Sequence, residues 1–342
     1  MKNHRHHLAF LIAMSVSLFF GIASGAAPKK KEPVKPSRTV LLYPKGQEVD
    51  EGITENGVKI TSGPLVDNGL RGEETSPGYG DTYNIGNGAC LDLYFPKKPN
   101  GQMVVVCPGG GYFMVSMWNE GSCVADWLVD KGITVCVVKY RLPKTNDAIP
   151  LHDVQNAFRY CRHHAEEWGI KSMGIMGFSA GGHLAATASV YYDDEVTKPD
   201  FSVLIYPVIS LEAGLTHQGT HDNLIGEKES YFAKGITSEE YEERMARYNA
   251  QVRKYSLQYQ VHEGVPPTFL ALSENDTTVP PKNSILYFEA LKEKNVPAQM
   301  HIYPAGGHGW GFRREPYGND TLGKPYRDVF FTELAAFLES VR

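Results

Sequence analysis

The sequence is short of several things. It has no excess of positive charge: 34 Lys+Arg stand against 39 Asp+Glu in 342 residues, so no global basic field is available to hold nucleic acid. It has only five cysteines, Cys90, Cys107, Cys123, Cys136 and Cys161. None are spaced C-x-x-C, which argues against a zinc ribbon or a dithiol redox motif, and an odd number leaves at least one thiol unpaired. The cysteines read as small buried hydrophobes. There is no G-x-x-x-x-G-K-[ST] phosphate loop, no G-x-G-x-x-G dinucleotide fingerprint and no H-x-x-E-H metal motif, so no cofactor and no metal are expected. Apolar runs are short as well. The longest, Leu8–Ile22, falls below the roughly 18 residues of a comfortable membrane span.

That run has its own meaning. It follows Lys2 and Arg5 and leads into Ala23, Ser24, Gly25, Ala26 and Ala27. A basic start, a short apolar stretch and a small-residue exit are the pattern of a cleaved signal peptide, here residues 1–26. With no cysteine at the exit, no stable membrane anchor is expected, and the protein is expected to be secreted or periplasmic. Residues 27–38, with Lys29, Lys30, Lys31 and three prolines, read as a solvated linker. Residues 39–342 then form a single domain. A composition of 42% hydrophobic and 21% charged residues is that of a globular protein with ample core.

Within that domain strand and helix patterns alternate. Val-rich runs at Gln102–Cys107 and Ile133–Tyr140, with Lys171–Met176, Phe201–Tyr206, Thr268–Leu272 and Gln299–Tyr303, read as buried parallel strands. Glu120–Lys131, Asp153–Trp168, Ala180–Val190, Ser284–Lys294 and Asp328–Val341 read as helices. The alternation predicts an α/β fold with a mainly parallel, doubly wound sheet. Residues 37–100 read as loops with antiparallel edge strands such as Cys90–Phe95.

The chemistry concentrates at four points. Gly177-Phe178-Ser179-Ala180-Gly181 is a G-x-S-x-G at a strand-to-helix junction. So tight a turn needs glycine at both flanks and exposes the serine hydroxyl at the N-terminus of the following helix. Ser179 is therefore the candidate nucleophile, and the Ala180 N–H faces any oxyanion formed there. Pro108-Gly109-Gly110-Gly111-Tyr112 follows an earlier strand, and its glycines allow N–H groups to approach a ligand. A serine nucleophile needs a base and an orienting carboxylate, in the chain order Ser, Asp or Glu, His. Asp276 follows the strand Thr268–Leu272 and His308 follows Gln299–Tyr303. Glu274 and His183 are the rivals. Asp276 precedes the T-T-V-P turn and is better placed. His183, one turn into the helix after Ser179, is expected to hydrogen-bond in the core. Asn275-Asp-Thr and Asn319-Asp-Thr match the glycosylation triplet and are read as chance.

From Cys90 to Arg342 the chain resembles the secreted α/β-hydrolase carbohydrate esterases, in the group of acetylxylan esterases and feruloyl-esterase-like proteins. The resemblance is carried by CPGGGY (Cys107–Tyr112), NEG…ADWL (Asn119–Leu128), VVKYRLP (Val137–Pro143), GIMGFSAGGHLA (Gly174–Ala185), YPVIS (Tyr206–Ser210), NLIG (Asn223–Gly226), PPTFL (Pro266–Leu270) and GGHGWG (Gly306–Gly311). It implies an α/β-hydrolase fold with antiparallel N-terminal edge strands, a triad of Ser179, Asp276 and His308, and an oxyanion hole of Gly110, Gly111 and Ala180. It also implies a serine carboxylic-ester hydrolase whose partner is an acylated poly- or oligosaccharide such as acetylated xylan. Tyr112, Trp118 and Trp310 flank the expected site and are candidates to stack on a sugar or limit acyl size. Two segments depart from the family pattern: the stretch before Cys90, and the charged, helical stretch Glu227–Tyr255. A prolyl-oligopeptidase-like peptidase shares the triad order, but no propeller repeats precede the hydrolase segment. No long apolar lid suggests a lipase. A non-catalytic carbohydrate-binding protein would be marked by a missing triad member.

Overall fold

The computed structural model describes residues 34–43, 54–55, 58–59, 74–76, 80–86, 88–231, 235–312 and 320–342. The expected signal peptide, most of the linker and Asn319 lie outside them.

Eight strands form the main sheet: β1 (Arg38–Leu41), β2 (Cys90–Tyr94), β3 (Gln102–Cys107), β4 (Thr134–Lys139), β5 (Ser172–Phe178), β6 (Ser202–Ile205), β7 (Thr268–Ser273) and β8 (Ala298–Tyr303). Their spatial order is β1-β2-β4-β3-β5-β6-β7-β8. Only β1/β2 and β2/β4 pair antiparallel; every other pair is parallel. This is the α/β-hydrolase architecture that the resemblance implies. Two details differ from expectation. Cys90–Tyr94 lies one strand in from the edge, because Arg38–Leu41 pairs outside it. The chain joins the sheet before residue 39: the Ser37 N–H already donates to Leu93 O.

The strands alternate their side chains between two apolar layers, as the period of two requires. Val104, Val106, Val135, Val137 and Val203 face the layer of α1 (Cys123–Asp130) and α7 (Lys324–Ser340). Met103, Val105, Val138, Ile175 and Leu204 face α2 (Ala148–His163), α3 (Ser179–Val190) and α6 (Lys282–Glu293). Strands β3 and β7 are buried at every residue, which is why their sequences run continuously apolar rather than alternating. Helix α3 is likewise buried at every position. Its run of Gly, Ala and Ser has no apolar stripe because the core surrounds it.

Helix α2 starts five residues earlier than its apolar stripe suggests, at Ala148, with Pro150 in its first turn, where proline is tolerated. This places Asp153 inside the helix, fully buried with Arg141. Asp153 accepts from the Arg141 backbone N–H at 2.7 Å and from its Nη2 at 2.7 Å, and Tyr43 OH bonds both residues. The remaining helices are α4 (Gln218–Ile225) and α5 (Ser238–Tyr255). Helix α5 is opened by a Thr237/Glu240 capping box and buries only Tyr255. All five cysteines are buried and none is in a disulfide. Among the described residues no helix is long and apolar enough to cross a membrane.

Candidate active site

Strand β5 ends at Phe178 and α3 begins at Ser179 without an intervening loop. The reversal forces Ser179 to φ +53°, a conformation costing about 1–3 kcal/mol in a non-glycine residue. It also brings two backbones together. A Cβ on Gly177 would lie 2.1 Å from Gly181 O, and one on Gly181 would lie 2.1 Å from Cys107 O. No side chain fits at either position, so the two flanking glycines are a steric requirement of the turn.

The loops after β7 and β8 deliver two side chains to this serine. His308 Nε2 lies 2.8 Å from Ser179 Oγ, and His308 Nδ1 lies 2.7 Å from Asp276 Oδ2. The other carboxylate oxygen of Asp276 accepts from the Thr278 and Val279 N–H groups, both at 2.9 Å. The T-T-V-P turn thus holds the carboxylate in place. Glu274 is exposed while Asp276 is buried, so burial separates the two rivals. Asn275 Oδ1 accepts from the Gly307 N–H at 2.9 Å and ties the acid loop to the histidine loop.

His183 sits in the core. Its Nε2 lies 2.9 Å from Tyr255 O, so this nitrogen carries the proton, and Nδ1 accepts from Tyr112 OH at 3.0 Å. Complete burial pushes its pKa down to about 4, which keeps the ring neutral. The pair pins the glycine loop to the end of α5.

Two aromatic expectations need correction. Tyr112, a candidate to stack on a sugar or limit acyl size, is 2% exposed and packed edge-on against Tyr140 and His183. The reason is the backbone: at φ +60° the chain reverses, turning Tyr112 inward and leaving the next residue, Phe113, 50% exposed. Trp310 is 1% exposed. Its Nε1–H donates to Ser273 Oγ at 3.0 Å, and its ring meets Tyr206 and Phe330 edge-on. It is core, with no free face for a sugar. Trp118 is partly exposed in a π-helical turn ahead of α1.

The structure adds residues that the sequence reading passed over. Glu120 is buried, and its two oxygens accept from the Gly109 N–H and from Tyr206 OH, each at 2.7 Å. Burial raises its pKa, opposed by the Tyr206 hydrogen bond. Tyr206 OH in turn accepts from the Gly311 N–H at 2.8 Å, and its ring lies 4.8 Å from that of His308. In the sequence, Glu120 stands within the NEG segment and Tyr206 opens YPVIS. Ala180 lies in the first turn of α3, where backbone N–H groups have no acceptor within their own helix. His217, the N-cap of α4, accepts the Thr220 N–H at Nδ1 and lies beside the glycine loop, its Cε1 3.5 Å from where a Cβ on Gly111 would stand. Burial, reinforced by the nearby His308, lowers its pKa. No sequence signal marked it.

A family model described as BD-FAE matches residues 91–291, more than half of the chain. The chain belongs to the BD-FAE family. Among curated proteins it is 36% identical over 257 residues to an acetylxylan esterase of Xylanibacter ruminicola, covering 74% of this chain and 48% of that protein. It is 31% identical over 240 residues to endo-1,4-beta-xylanase B of Butyrivibrio fibrisolvens, covering 65% and 34%. The chain therefore spans half or less of the length of these curated relatives. Among solved structures, an acetyl ester-xyloside bifunctional hydrolase from Caldicellulosiruptor lactoaceticus superposes with a TM-score of 0.61 at 27% identity, covering 88% of this chain and 98% of that one. The BD-FAE match spans the serine turn and the Asp276 loop but ends before His308.

Proposed function

We propose that this chain is a serine esterase that removes acetyl or other small acyl groups from plant-wall polysaccharides such as xylan. One observation carries the reading: the 2.8 Å and 2.7 Å contacts that join Ser179, His308 and Asp276. The names of the relatives, an acetylxylan esterase, a xylanase and an acetyl ester-xyloside hydrolase, support the substrate class. The signal-peptide pattern of residues 1–26 supports export to the periplasm or medium.

In this mechanism Ser179 Oγ attacks the ester carbonyl while His308 Nε2 takes its proton. Asp276 accepts the Nδ1–H, so the other nitrogen is free to act as the base, and stabilises the imidazolium as it forms. The negative charge on the carbonyl oxygen is held by N–H groups of Gly110, Gly111 and Ala180. His308 then protonates the departing sugar hydroxyl, leaving an acyl-serine. Water, activated by the same imidazole, attacks that ester, releases the acid and restores the hydroxyl of Ser179.

The test is a side-by-side assay of acetate, ferulate and amine release from acetylated xylan, feruloylated arabinoxylan and peptides. Acetate release is expected to dominate. Faster cleavage of peptides would favour the peptidase alternative, and no hydrolysis of any ester would favour a binding protein.

A further inference from the structure

A cavity of about 460 Å³ is walled in part by Tyr112 and Phe113 at the end of the glycine loop. Asn84, Phe113, Lys144, Asn223, Glu227 and Ser230 line it, and neither Ser179 nor His308 does. Its size falls within the roughly 300–1,000 Å³ of small-molecule sites. It is not a separate feature of the surface. Asn223 Nδ2–H donates to Gly111 O at 3.0 Å, while Asn223 O accepts from the Thr145 N–H at 2.8 Å. One residue thus braces both the glycine loop and the cavity wall.

The cavity draws on residues from both sides of the start of the BD-FAE match at residue 91. Asn84 comes from the segment before Cys90, and Glu227 and Ser230 begin the charged stretch that follows α4. The backbone there is strained in a cluster: Asn84 (φ +54°), Lys144 (φ +45°) and Thr145 (φ +71°) are all left-handed. For a β-branched threonine this is an outlier, and such strain gathers at ligand sites because the surroundings must enforce it.

The lining chooses the ligand. Among the described residues Lys144 is its one cation against the carboxylates of Asp222 and Glu227, so an anion is disfavoured. Among the described residues Leu142, Phe113 and the inward-turned Tyr112 are the large apolar side chains of the lining, too few to bury an acyl chain. Amides, carboxylates and a hydroxyl beside a half-exposed Phe113 ring match a neutral polyhydroxylated ring, which offers hydrogen bonds at its rim and an apolar face. We infer that this cavity is a glycosyl subsite. It holds unacylated sugar units of a chain whose acylated unit lies at Ser179, the chain crossing the loop at Gly111–Phe113. The inference rests on the esterase reading above and deepens it: it assigns the place where unacylated units of the polysaccharide are held.

The experiment compares acetylated xylose, acetylated xylotetraose and p-nitrophenyl acetate on the parent, Phe113→Ala and Glu227→Ala proteins. It adds a calorimetric titration of Ser179→Ala protein with unacylated xylotetraose. The parent is expected to favour the tetraose over the monosaccharide at least tenfold in kcat/KM per acetyl group. Each variant should lose most of that preference through KM, and should weaken xylotetraose binding tenfold when combined with Ser179→Ala. Equal rates on mono- and tetrasaccharide, or a preference that survives both variants, overturns the subsite and leaves the esterase reading standing. A parent that hydrolyses p-nitrophenyl acetate but no acetylated sugar overturns the polysaccharide-esterase reading instead, and absence of xylotetraose binding in the titration then overturns the subsite as well.

Discussion

The buried carboxylate of Glu120 accepts a hydrogen bond from the hydroxyl of Tyr206 at 2.7 Å, and through this contact the two halves of the site are held in register. Glu120 grips the glycine loop at the Gly109 N–H; Tyr206 grips the histidine loop at the Gly311 N–H and lies against the His308 ring. Burial and the adjacent carboxylate raise the Tyr206 pKa, so its hydroxyl stays protonated and able to donate.

Glu120→Gln keeps the shape but supplies only one acceptor oxygen, and its amide N–H₂ meets a hydroxyl already engaged with Gly311. Esterase kcat should fall about 10- to 100-fold with KM little changed, since loss of a single oxyanion donor costs about 100- to 1,000-fold and here the donor loop is loosened rather than removed. Tyr206→Phe leaves the Gly311 N–H without its acceptor and should lower stability by about 1–3 kcal/mol, read as a shift in the urea midpoint. A Glu120→Gln enzyme with parental kcat would show that the carboxylate is packing alone.

The proposed triad gives a graded series. Ser179→Ala and His308→Ala should each cost about a million-fold in kcat, because they act as a unit, and Asp276→Asn about 10⁴-fold. All three proteins should remain folded by circular dichroism. Ester hydrolysis by Ser179→Ala at even a tenth of the parent rate would remove it as nucleophile, and serine-directed phosphonates should label the parent and spare that variant.

How much of this was legible beforehand depended on how local the signal was. The strands from Gln102 onward were readable because burial on both faces writes itself as an unbroken apolar run. The serine turn was readable because Gly177 and Gly181 have no steric alternative. Asp276 and His308 could be placed because each sits one loop beyond a recognisable strand. Arg38–Leu41 was not readable: it is four residues long with three of them exposed, so it carries no periodicity. Glu120, Tyr206 and His217 were not readable either: the Glu120–Tyr206 and Tyr206–Gly311 contacts each span more than eighty residues, and His217 is an atypical helix cap. Tyr112 and Phe113 show the finest limit. Which of two adjacent rings faces solvent was decided by a left-handed backbone that the residue types do not announce.

His183 makes a pH prediction. Its folded pKa of about 4 lies below the ordinary histidine value, so between those two values the unfolded chain binds the extra proton. Stability from this group is therefore present above about pH 6.5 and is lost as pH falls toward 4, by up to about 3 kcal/mol at 1.36 kcal/mol per unit. His183→Gln keeps a donor for Tyr255 O and an acceptor for Tyr112 OH but does not titrate. Its melting temperature should fall less than the parent's between pH 6.5 and 4. Parallel curves for the two proteins would contradict the assignment.

Asp153 and Arg141 form a pair in which each is nearly inaccessible to water. Removing one charge strands the other. Asp153→Ala should destabilise by about 3–5 kcal/mol, seen as a lower denaturant midpoint, while the double change Asp153→Leu with Arg141→Met should recover a large part of that loss. If the double variant is no more stable than the single one, a stranded charge is not the cause of the defect.

Trp310 offers the sharpest contrast between a sequence expectation and the packed structure. Its place two residues after His308 suggested a wall that limits acyl size, so that Trp310→Ala would open the site to longer esters. Its burial argues otherwise. The ring fills the layer between Tyr206 and Phe330, beneath the cation of Arg327 at 5.3 Å. Truncating it leaves a cavity and an unpaired Ser273 hydroxyl, a loss of about 3–5 kcal/mol for a buried tryptophan. Selectivity should behave differently. The parent should lose rate steadily from p-nitrophenyl acetate to butyrate and be very slow on octanoate, each added methylene counting for about 1–3 kcal/mol where the pocket is filled. Trp310→Ala, assayed well below its lowered melting temperature, should show the same slope at a reduced overall rate. A flattened slope in a folded variant would mean that the indole bounds the acyl pocket after all.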